Sequence, residues 1–458
     1  MTMFTDDQYA EWLTDPQARR VVLVKATHAD GVEYFGNAAY NSMYDDADPN
    51  RHYEDLLLSD VTIEHSLSKA TIGDITVVND GSHTGWLDYD WKGYPLQIYL
   101  GDARWRFDNY RLNVDGINGG ISAPSNNRHR FDVLDPYENL KQTIGSESAP
   151  IAFGECFNVR PALIDSATLR YKCNDSAVIS MTIRDNGLTP GVAPTQFIAT
   201  GEFTLAATPA GQITVDVVQT SKTAAQIVEA VCDLIGVPVN ASNLAAFPNT
   251  AVLNKYINTA TPAIEVIDSV LKTVGGSFRF NTLGEIEIFR LDVPATSTLT
   301  LTNDDIASVK NTGIKQLKTE APVKTMTVGY AKNWSVQSAD ALAGSLSVSL
   351  KELYSTEYRT VEKTNTLPNN PLALDMRHDT LFVYEADAQA EADRRQVIRS
   401  VIRHLFEVKG FLASGQVVLG QTITIFYPDY SFANGLDAVV IGIERKLGKG
   451  IMNITVWR

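Results

Sequence analysis

The chain has 458 residues, enough for about three domains and an ample core. Its 39 Lys and Arg against 54 Asp and Glu give a net charge of −15, which argues against a surface that binds nucleic-acid phosphates or an anionic membrane. Only 3 Cys and 7 His are present, so neither a disulfide framework nor a multi-ligand zinc site is expected. The N-terminus is acidic and no run reaches the ~18 apolar residues of a membrane span, so we expect a soluble chain made in the cytosol.

Short alternating apolar runs, bounded by Gly, Asn, Asp or Pro, predict that most of the chain is β. The predicted strands are residues 20–26, 74–78, 96–100, 104–109, 212–218, 285–290, 325–330, 421–426, 438–444 and 452–457. Strands this frequent, with turn signals between them, predict barrels or sandwiches. Asn79-Asp80-Gly81 and Gly101-Asp102 are predicted to form tight turns between strands.

Three shorter helices are predicted from caps and apolar spacing. Thr5 caps an acidic helix that runs to about residue 13, and Gly236 ends a second helix over 224–235. The third begins with Thr261 as its cap and Pro262 at its first position, and it ends at residues 275–276. Its predicted buried stripe consists of Ile264, Ile267, Leu271 and Val274.

The longest predicted helix runs over residues 385–406, with acidic first turns and basic later turns that suit the helix macrodipole. Its predicted core stripe consists of Val397, Val401 and Leu405, with Ile398 and Ile402 beside them. The arginines Arg394, Arg395, Arg399 and Arg403 are interpreted as a solvated face, because the net charge around them is not positive.

Turn-rich and polar stretches divide the chain into four predicted domains. These are a β-rich domain over 1–148, a β domain over 149–220, an α+β domain over 221–316 and a β domain with one long helix over 317–458. Within the last of them, the weakly periodic segment 363–379 is predicted to be a contact arm.

Catalytic and cofactor motifs are absent from the sequence. It contains no phosphate-binding loop, no G-x-S-x-G elbow, no H-E-x-x-H and no paired C-x-x-C. Cys156 and Cys173, in predicted strands, and Cys232, in a helix, are interpreted as buried structural thiols. We therefore predict no catalytic, cofactor-binding or metal-binding residues, although a pair of carboxylates meeting in space stays open.

Two weaker sequence signals concern possible metal or catalytic sites. The run Asp46-Ala47-Asp48-Pro49-Asn50 resembles the start of a calcium loop, but Arg51 stands where such a loop needs Gly, so a turn is predicted. The histidines His28, His52, His65, His83 and His129 have no partner at catalytic or metal spacing and are predicted to lie on the surface or in turns.

Small motifs follow one another in a fixed order along the chain. The first domain contains Ile72-Gly-Asp-Ile-Thr-Val-Val-Asn79-Asp-Gly81, then Trp86-Leu-Asp88-Tyr-Asp-Trp91-Lys-Gly93, then Ile98-Tyr-Leu-Gly-Asp102. The later domains contain Phe157-Asn-Val-Arg-Pro161, Ile183-Arg-Asp185-Asn-Gly187, Val328-Gly-Tyr330 and Phe426-Tyr-Pro428. This order of motifs resembles that of the tail-tip or baseplate hub proteins of long-tailed bacteriophages. The aromatic residues Trp86, Tyr89, Trp91 and Tyr94 are placed along a strand, where they would pack a core or a subunit seam.

This resemblance implies a mainly β fold with two barrel-like hub domains, formed by 1–148 and 317–458, and smaller β and α+β domains. It implies a homotrimer with no cofactor that joins the tail tube to the central tip. The implied partners are the distal tail protein, the end of the tape-measure protein and the central tip or fibre protein, in a virion. DNA would pass the lumen without specific binding, and acids lining that lumen would repel it.

The sequence is compatible with three functions. The first is a structural hub that is not an enzyme. The second is a tail-associated hydrolase of cell wall or polysaccharide, which would need two carboxylates ~5 to 9.5 Å apart. The third is a receptor-binding tail protein that uses exposed loops such as 363–379.

Overall fold

The computed structural model describes residues 4–15, 17–67, 69–125, 127–281, 284–297, 299–306, 313–365, 370–412, 417–428 and 431–458. This part of the chain is mainly β with a few helices, as predicted. None of its helices is long and apolar enough to cross a membrane.

The described helices are α1 (Asp6–Thr14), α2 (Ala224–Ile235), α3 (Ala241–Ala245), α4 (Ala263–Thr273), α5 (Val348–Ser355) and α6 (Glu385–Arg399). The strands up to residue 204 are β1 (Arg20–His28), β2 (Gly31–Gly36), β3 (Tyr40–Asn41), β4 (His52–Asp55), β5 (Thr62–Ser66), β6 (Lys69–Ile72), β7 (Ile75–Val78), β8 (Pro95–Asp102), β9 (Arg111–Ser125), β10 (Arg128–Leu134), β11 (Thr143–Ile144), β12 (Ile151–Phe153), β13 (Glu155–Val159), β14 (Ala162–Asp165), β15 (Arg170–Lys172), β16 (Ser180–Asp185), β17 (Thr195–Phe197) and β18 (Glu202–Thr204). The later strands are β19 (Ile213–Val218), β20 (Lys222–Thr223), β21 (Val252–Leu253), β22 (Lys255–Ile257), β23 (Thr261–Pro262), β24 (Gly276–Phe280), β25 (Ile286–Arg290), β26 (Leu299–Leu301), β27 (Ile314–Glu320), β28 (Val323–Tyr330), β29 (Arg359–Thr364), β30 (Leu374–Asp379), β31 (Arg403–Phe411), β32 (Thr422–Ile425), β33 (Leu436–Lys446) and β34 (Ile451–Trp457).

The chain forms two compact units, each assembled from separate stretches. Unit 1 contains residues 1–139, 278–320 and 403–458, and unit 2 contains residues 140–277 and 321–402. Both units draw on more than one of the four predicted domains, and the segment 317–458 is divided between them. The predicted boundaries at 148, 220 and 316 stay predictions.

The first eight-stranded sheet lies in unit 1 and closes on itself. Its strand order is β3-β4-β2-β1-β8-β9-β10-β7. Residues 56–58, which continue β4, pair with β7: the Val78 amide donates to the Leu56 carbonyl oxygen, and the Leu58 amide to that of Thr76, both at 2.8 Å. Because β4 also pairs with β2, the ring of strands is complete, and we call it the first barrel.

The second eight-stranded sheet also lies in unit 1, and three parts of the chain contribute to it. Its main path is β26-β32-β33-β34-β31-β27, and the β5–β6 hairpin joins through β33. After β26, Ile306 bridges Gly410 at the end of β31, and the Phe411 amide donates to the Asp305 carbonyl oxygen at 3.0 Å. This pairing closes a second ring, the second barrel.

One hydrophobic core serves both barrels. Alternate residues of each strand point inward, and their side chains form a single cluster of buried groups. The first barrel contributes Val22, Val24, Phe35, Ile75, Leu96, Ile98 and Phe131, among others, and the second contributes Val408, Ile423, Val440, Met452 and Ile454. The two barrels therefore fold as one body.

Unit 2 has a different construction. Within the described residues its sheets contain two to four strands each, with orders such as β13-β19-β16, β14-β15-β18-β17 and β29-β28-β30. Helices α2 and α4 pack against each other, and α6 packs on β28 and β29. Neither helix α2 nor α4 leaves its apolar face open, since Ile227, Val231, Val266 and Val270 are fully buried.

Nine of the ten predicted strands are present. The exception is 104–109, which forms a turn and a 3-10 helix over Phe107–Asn109. The reason is the Asp102 carboxylate, which accepts from the Arg104 amide at 3.0 Å and bends the chain there. Gly101 lies within β8 and makes no turn; a side chain on it would meet the Tyr110 ring at 2.5 Å.

The predicted aromatic strand around residues 86–94 is also wrong. Thr84–Asp88 is a 3-10 helix, and turns follow it up to β8. Gly81 does adopt the left-handed backbone that its turn requires, with φ +108°, but it leads into this 3-10 helix instead of a returning strand. Trp86 and Trp91 are buried in the core of the first barrel, as core packing predicted.

The predicted helix caps are mostly confirmed. Thr5 forms a capping box with Gln8, and Gly236 ends α2 with φ +71°. The third helix starts one residue later than predicted: Pro262 is the N-cap of α4, while Thr261 and Pro262 form β23 against β11. The backbone there is used for strand pairing, which keeps it out of the helix.

The longest helix ends at Arg399, not at residue 406. Residues 403–411 instead form β31, because their alternation fits a strand between β27 and β34 and this long-range pairing outweighs the helical pattern. The predicted contact arm over 363–379 is likewise corrected in part. Leu374–Asp379 is β30, which pairs in parallel with β28, while residues 366–369 lie outside the described residues.

Candidate functional site

The calcium-like run of residues 46–50 forms a turn, as predicted. Asp46 is buried, and its carboxylate accepts from the Met43 amide at 2.6 Å, from Arg106 Nε at 3.0 Å and from the Phe107 amide at 3.2 Å. These donors use the oxygens that a cation would need, so the turn is held by protein groups.

Three of the candidate histidines are buried, which the sequence interpretation missed. His28, His83 and His129 are 6%, 9% and 1% exposed. His129 Nε2 donates to the His83 carbonyl oxygen at 3.0 Å, and both rings lie beside Trp86, with centroids 6.1 and 4.5 Å from it. Burial lowers the pKa of His129, so this ring is a neutral packing partner.

The three cysteines are buried and unbridged, as predicted. Burial raises the pKa of Cys156, Cys173 and Cys232 to about 12 each, so all three are protonated and unreactive at neutral pH. Among the described residues, no group of three or more His, Cys, Asp or Glu is placed to hold a metal ion.

Two of the four arginines predicted as a solvated face, Arg394 and Arg395, instead pair with a buried carboxylate. Glu391 is 3% exposed and accepts from Arg394 Nη2 at 2.7 Å and from Arg395 Nε at 2.6 Å. Arg395 Nη2 also donates to the Lys272 carbonyl oxygen at 2.7 Å, which ties α6 to the end of α4. The buried face of α6 is therefore ionic and small: it consists of Ala388, Glu391, Ala392 and Gln396.

The predicted apolar stripe of the same helix is the exposed side. Val397 is 61% exposed, Val401 44% and Ile402 47%. Leu374 of β30 is 73% exposed, and its strand partner Val323 accepts a hydrogen bond from Gln396 of α6 at 3.1 Å. We call Leu374, Val397, Val401 and Ile402 the α6 surface. Large apolar side chains gathered in this way are typical of a contact with another protein.

No family model matches this chain, and no curated protein matches it. Among solved structures, the 43 kDa tail protein of prophage MuSo2 from Shewanella oneidensis is 10% identical, with a TM-score of 0.45 over 95% of this chain and 98% of that chain. A tail protein from Neisseria meningitidis MC58 is 9% identical, with a TM-score of 0.46 over 96% and 97%. A chain in the virion of a native gene transfer agent particle is 11% identical, with a TM-score of 0.46 over 68% and 84%.

All three of these solved structures are tail or virion proteins.

Proposed function

We propose that this chain is a structural hub of a phage tail tip or baseplate and not an enzyme. The observation that carries the proposal is the pair of closed barrels on one core in unit 1, built from both ends of the chain. Two barrel-like domains per subunit are what the resemblance implies for such hubs. Three subunits would then place six barrels around one axis and match a six-fold tube to a three-fold tip.

In a homotrimer, the α6 surface would lie at a contact between subunits. A group of exposed apolar side chains in water lowers solubility unless another protein covers it. The four side chains are 44% to 73% exposed, so covering each of them adds only part of the about 1.5 to 3 kcal/mol that full burial of an aliphatic side chain contributes. The distal tail protein, the tape-measure end and a central tip or fibre protein are the proposed neighbours in the virion.

The net charge of −15 supports DNA passage without adhesion. In the proposed ring, acids facing the lumen would repel the DNA backbone, and binding through released counterions would be negligible. A trimer whose lumen is basic would contradict this part of the proposal.

The mass of the purified full chain in solution tests the trimer. We expect three times 50.3 kDa, and a chain that stays monomeric at high concentration would refute the homotrimer. The double variant Val397→Asp, Val401→Asp should dissociate the trimer. Val348→Asp is the matched control, because Val348 is 84% exposed on α5, outside the α6 surface. A double variant that stays trimeric would place the seam elsewhere and leave the hub proposal standing.

Activity assays test the non-enzymatic part. Incubation of the chain with peptidoglycan or host polysaccharide should release no sugar reducing ends. Release that disappears on substitution of a particular carboxylate would favour the hydrolase alternative. Purified protein that blocks phage adsorption would favour a receptor-binding role.

A further inference from the structure

Unit 1 contains a cavity of about 520 Å³ whose ionisable lining is mainly basic. Three basic side chains, His65, Arg279 and Arg445, line it, against a single carboxylate, Glu287. The rest of the lining is uncharged at neutral pH and includes the donors Tyr9 and Asn113 beside several aliphatic side chains.

The only carboxylate in the lining, that of Glu287, already accepts hydrogen bonds from Arg279. Arg279 donates to the same oxygen of Glu287, Oε2, from Nε at 3.0 Å and from Nη2 at 2.8 Å. Arg279 also lies over the Phe289 ring, 5.6 Å from its centroid. This pair is neutral as a whole, so it leaves the charge of Arg445 uncompensated.

Arg445 has no described anionic partner. It lies on β33 opposite Ile63 of β5, and its Nη2 donates to the Val417 carbonyl oxygen at 3.0 Å. Burial lowers the pKa of Arg445, and no carboxylate of the described residues acts to raise it. Taking a guanidinium out of water is unfavourable unless an anion pairs with it.

His65 completes the arrangement without adding charge. Burial and the nearby Arg445 and Arg279 lower the pKa of His65 to about 4, so its ring is neutral at pH 7. A neutral imidazole can donate one hydrogen bond to an oxygen in the cavity. The cavity therefore holds one guanidinium without a carboxylate partner, that of Arg445, and several neutral donors.

We propose that this cavity binds a small oxyanion, a phosphate or a carboxylate group, on the Arg445 guanidinium. The planar fork of an arginine matches two oxygens of either group, and an occupied cavity would fix β33 and β5 to the neighbouring segment at Val417. This inference does not depend on the hub proposal, since it concerns unit 1 of a single chain.

Calorimetric titration of the full chain at pH 7 tests the site, with inorganic phosphate and citrate as probes and sodium chloride holding the ionic strength constant. We expect saturable binding of one anion per chain. Preference for phosphate would point to a free ion, and preference for citrate to a carboxylate source. Arg445→Gln should weaken binding at least tenfold. Arg130→Gln is the control, because Arg130 is 45% exposed on the first barrel and pairs with Asp74 and Asp132.

A second readout keeps the test decisive if Arg445→Gln does not fold. In the wild-type chain, an anion beside His65 should raise the pKa of its ring, measured by NMR, and chloride at equal ionic strength should not. No binding beyond the chloride control, or equal binding by the folded Arg445→Gln variant, would overturn the proposal. An unchanged His65 pKa at saturating phosphate would overturn it as well.

Discussion

The two units differ in whether their sheets leave strand edges unpaired. In unit 1 both large sheets close into rings, so most backbone donors and acceptors are paired within one chain. In unit 2 the described sheets are short and open, and β30 at the edge of its sheet carries exposed Leu374. Exposed edges invite pairing with other chains. The comparison teaches that unit 1 is built to be complete alone, whereas unit 2 is the expected source of contacts.

Asp102 in unit 1 and Glu391 in unit 2 are two of the buried carboxylates that hold separate groups together. In unit 1 Asp102 is fully buried and accepts from Trp12 Nε1 at 3.0 Å, from the Arg19 amide at 2.8 Å and from Arg104 Nε at 2.7 Å. In unit 2 Glu391 joins α6 to itself and, through Arg395, to α4. Substituting each of them compares the units directly.

We expect Asp102→Asn to have the largest effect, a loss of about 2 to 5 kcal/mol in the free energy of unfolding of unit 1. An amide has one acceptor oxygen, so some of the donors, among them Trp12 Nε1 and the Arg19 amide, lose their acceptor, whereas the Arg104 side chain is 55% exposed and stays solvated. Urea unfolding followed by tryptophan fluorescence measures it, since five of the six tryptophans lie in unit 1: Trp12, Trp86, Trp91, Trp105 and Trp457. Asp6→Asn, at a side chain that is 98% exposed, should change little. A loss below about 1 kcal/mol would mean that Asp102 is not an anchor.

The same carboxylate predicts acid sensitivity. Although burial opposes it, hydrogen bonds from Arg104 and Trp12 lower the pKa of Asp102 below its usual value. Its contribution to stability is therefore present above the unfolded pKa of 3.8 and is lost as the pH falls below that value. Asp102→Asn should remove this part of the acid transition.

Glu391→Gln should lower the free energy of unfolding of unit 2 by about 2 to 4 kcal/mol. We expect a smaller loss than for Asp102→Asn, because Arg395 keeps its hydrogen bond to the Lys272 carbonyl oxygen. Trp334 lies in unit 2 and reports its unfolding. Asp393→Gln is the control on the same helix, since Asp393 is 47% exposed in its pair with Lys363. If Glu391→Gln and Asp102→Asn shift the same transition equally, the two units do not unfold independently.

Lys255 in unit 2 is a half-buried charge without a carboxylate within ion-pair distance among the described residues. Its Nζ donates to Ser269 Oγ at 2.9 Å and lies 6.0 Å from the Trp334 ring centroid. Burial, and the nearby Lys332, lower its pKa from 10.5 to about 8. We expect Lys255→Met to stabilise unit 2 by about 1 to 2 kcal/mol at pH 7, because an apolar chain replaces a poorly compensated charge.

The pH dependence of that variant follows from the same shift. Between pH 8 and 10.5 the unfolded chain holds the Lys255 proton more often than the folded chain, so wild-type stability rises with pH in this window. Lys255→Met should lack that rise, measured by urea unfolding at several pH values. Lys272→Met, at a side chain that is 65% exposed, is the control and should keep it. A rise that persists in Lys255→Met would assign it to another group.

Sequence patterns predicted local structure well and long-range structure poorly. The strand over 20–26 and the cap at Thr5 depend on neighbouring residues, and both are confirmed. The hairpin over 62–72 has no local signal for its place in the second barrel, because its partner β33 lies nearly 400 positions away in the chain. The buried histidines were missed for the same reason: spacing gives no information on which rings will meet Trp86. The face of α6 that is buried depends on β28 and β29, which the helical pattern does not contain.

The smallest expected effect tests that last point. Val397→Ser should change the free energy of unfolding of the isolated chain by less than about 0.5 kcal/mol, because the side chain lies on α6 and is already 61% exposed. Val270→Ser, on the buried face of α4, should cost several times more, since Val270 is fully buried. If the α6 stripe were core, as its spacing alone predicts, the two losses would be similar. A near-zero loss in the free energy of unfolding, together with weaker self-association of the variant, would mean that the stripe is kept apolar for contacts between chains. Unit 2, not unit 1, would then supply those contacts.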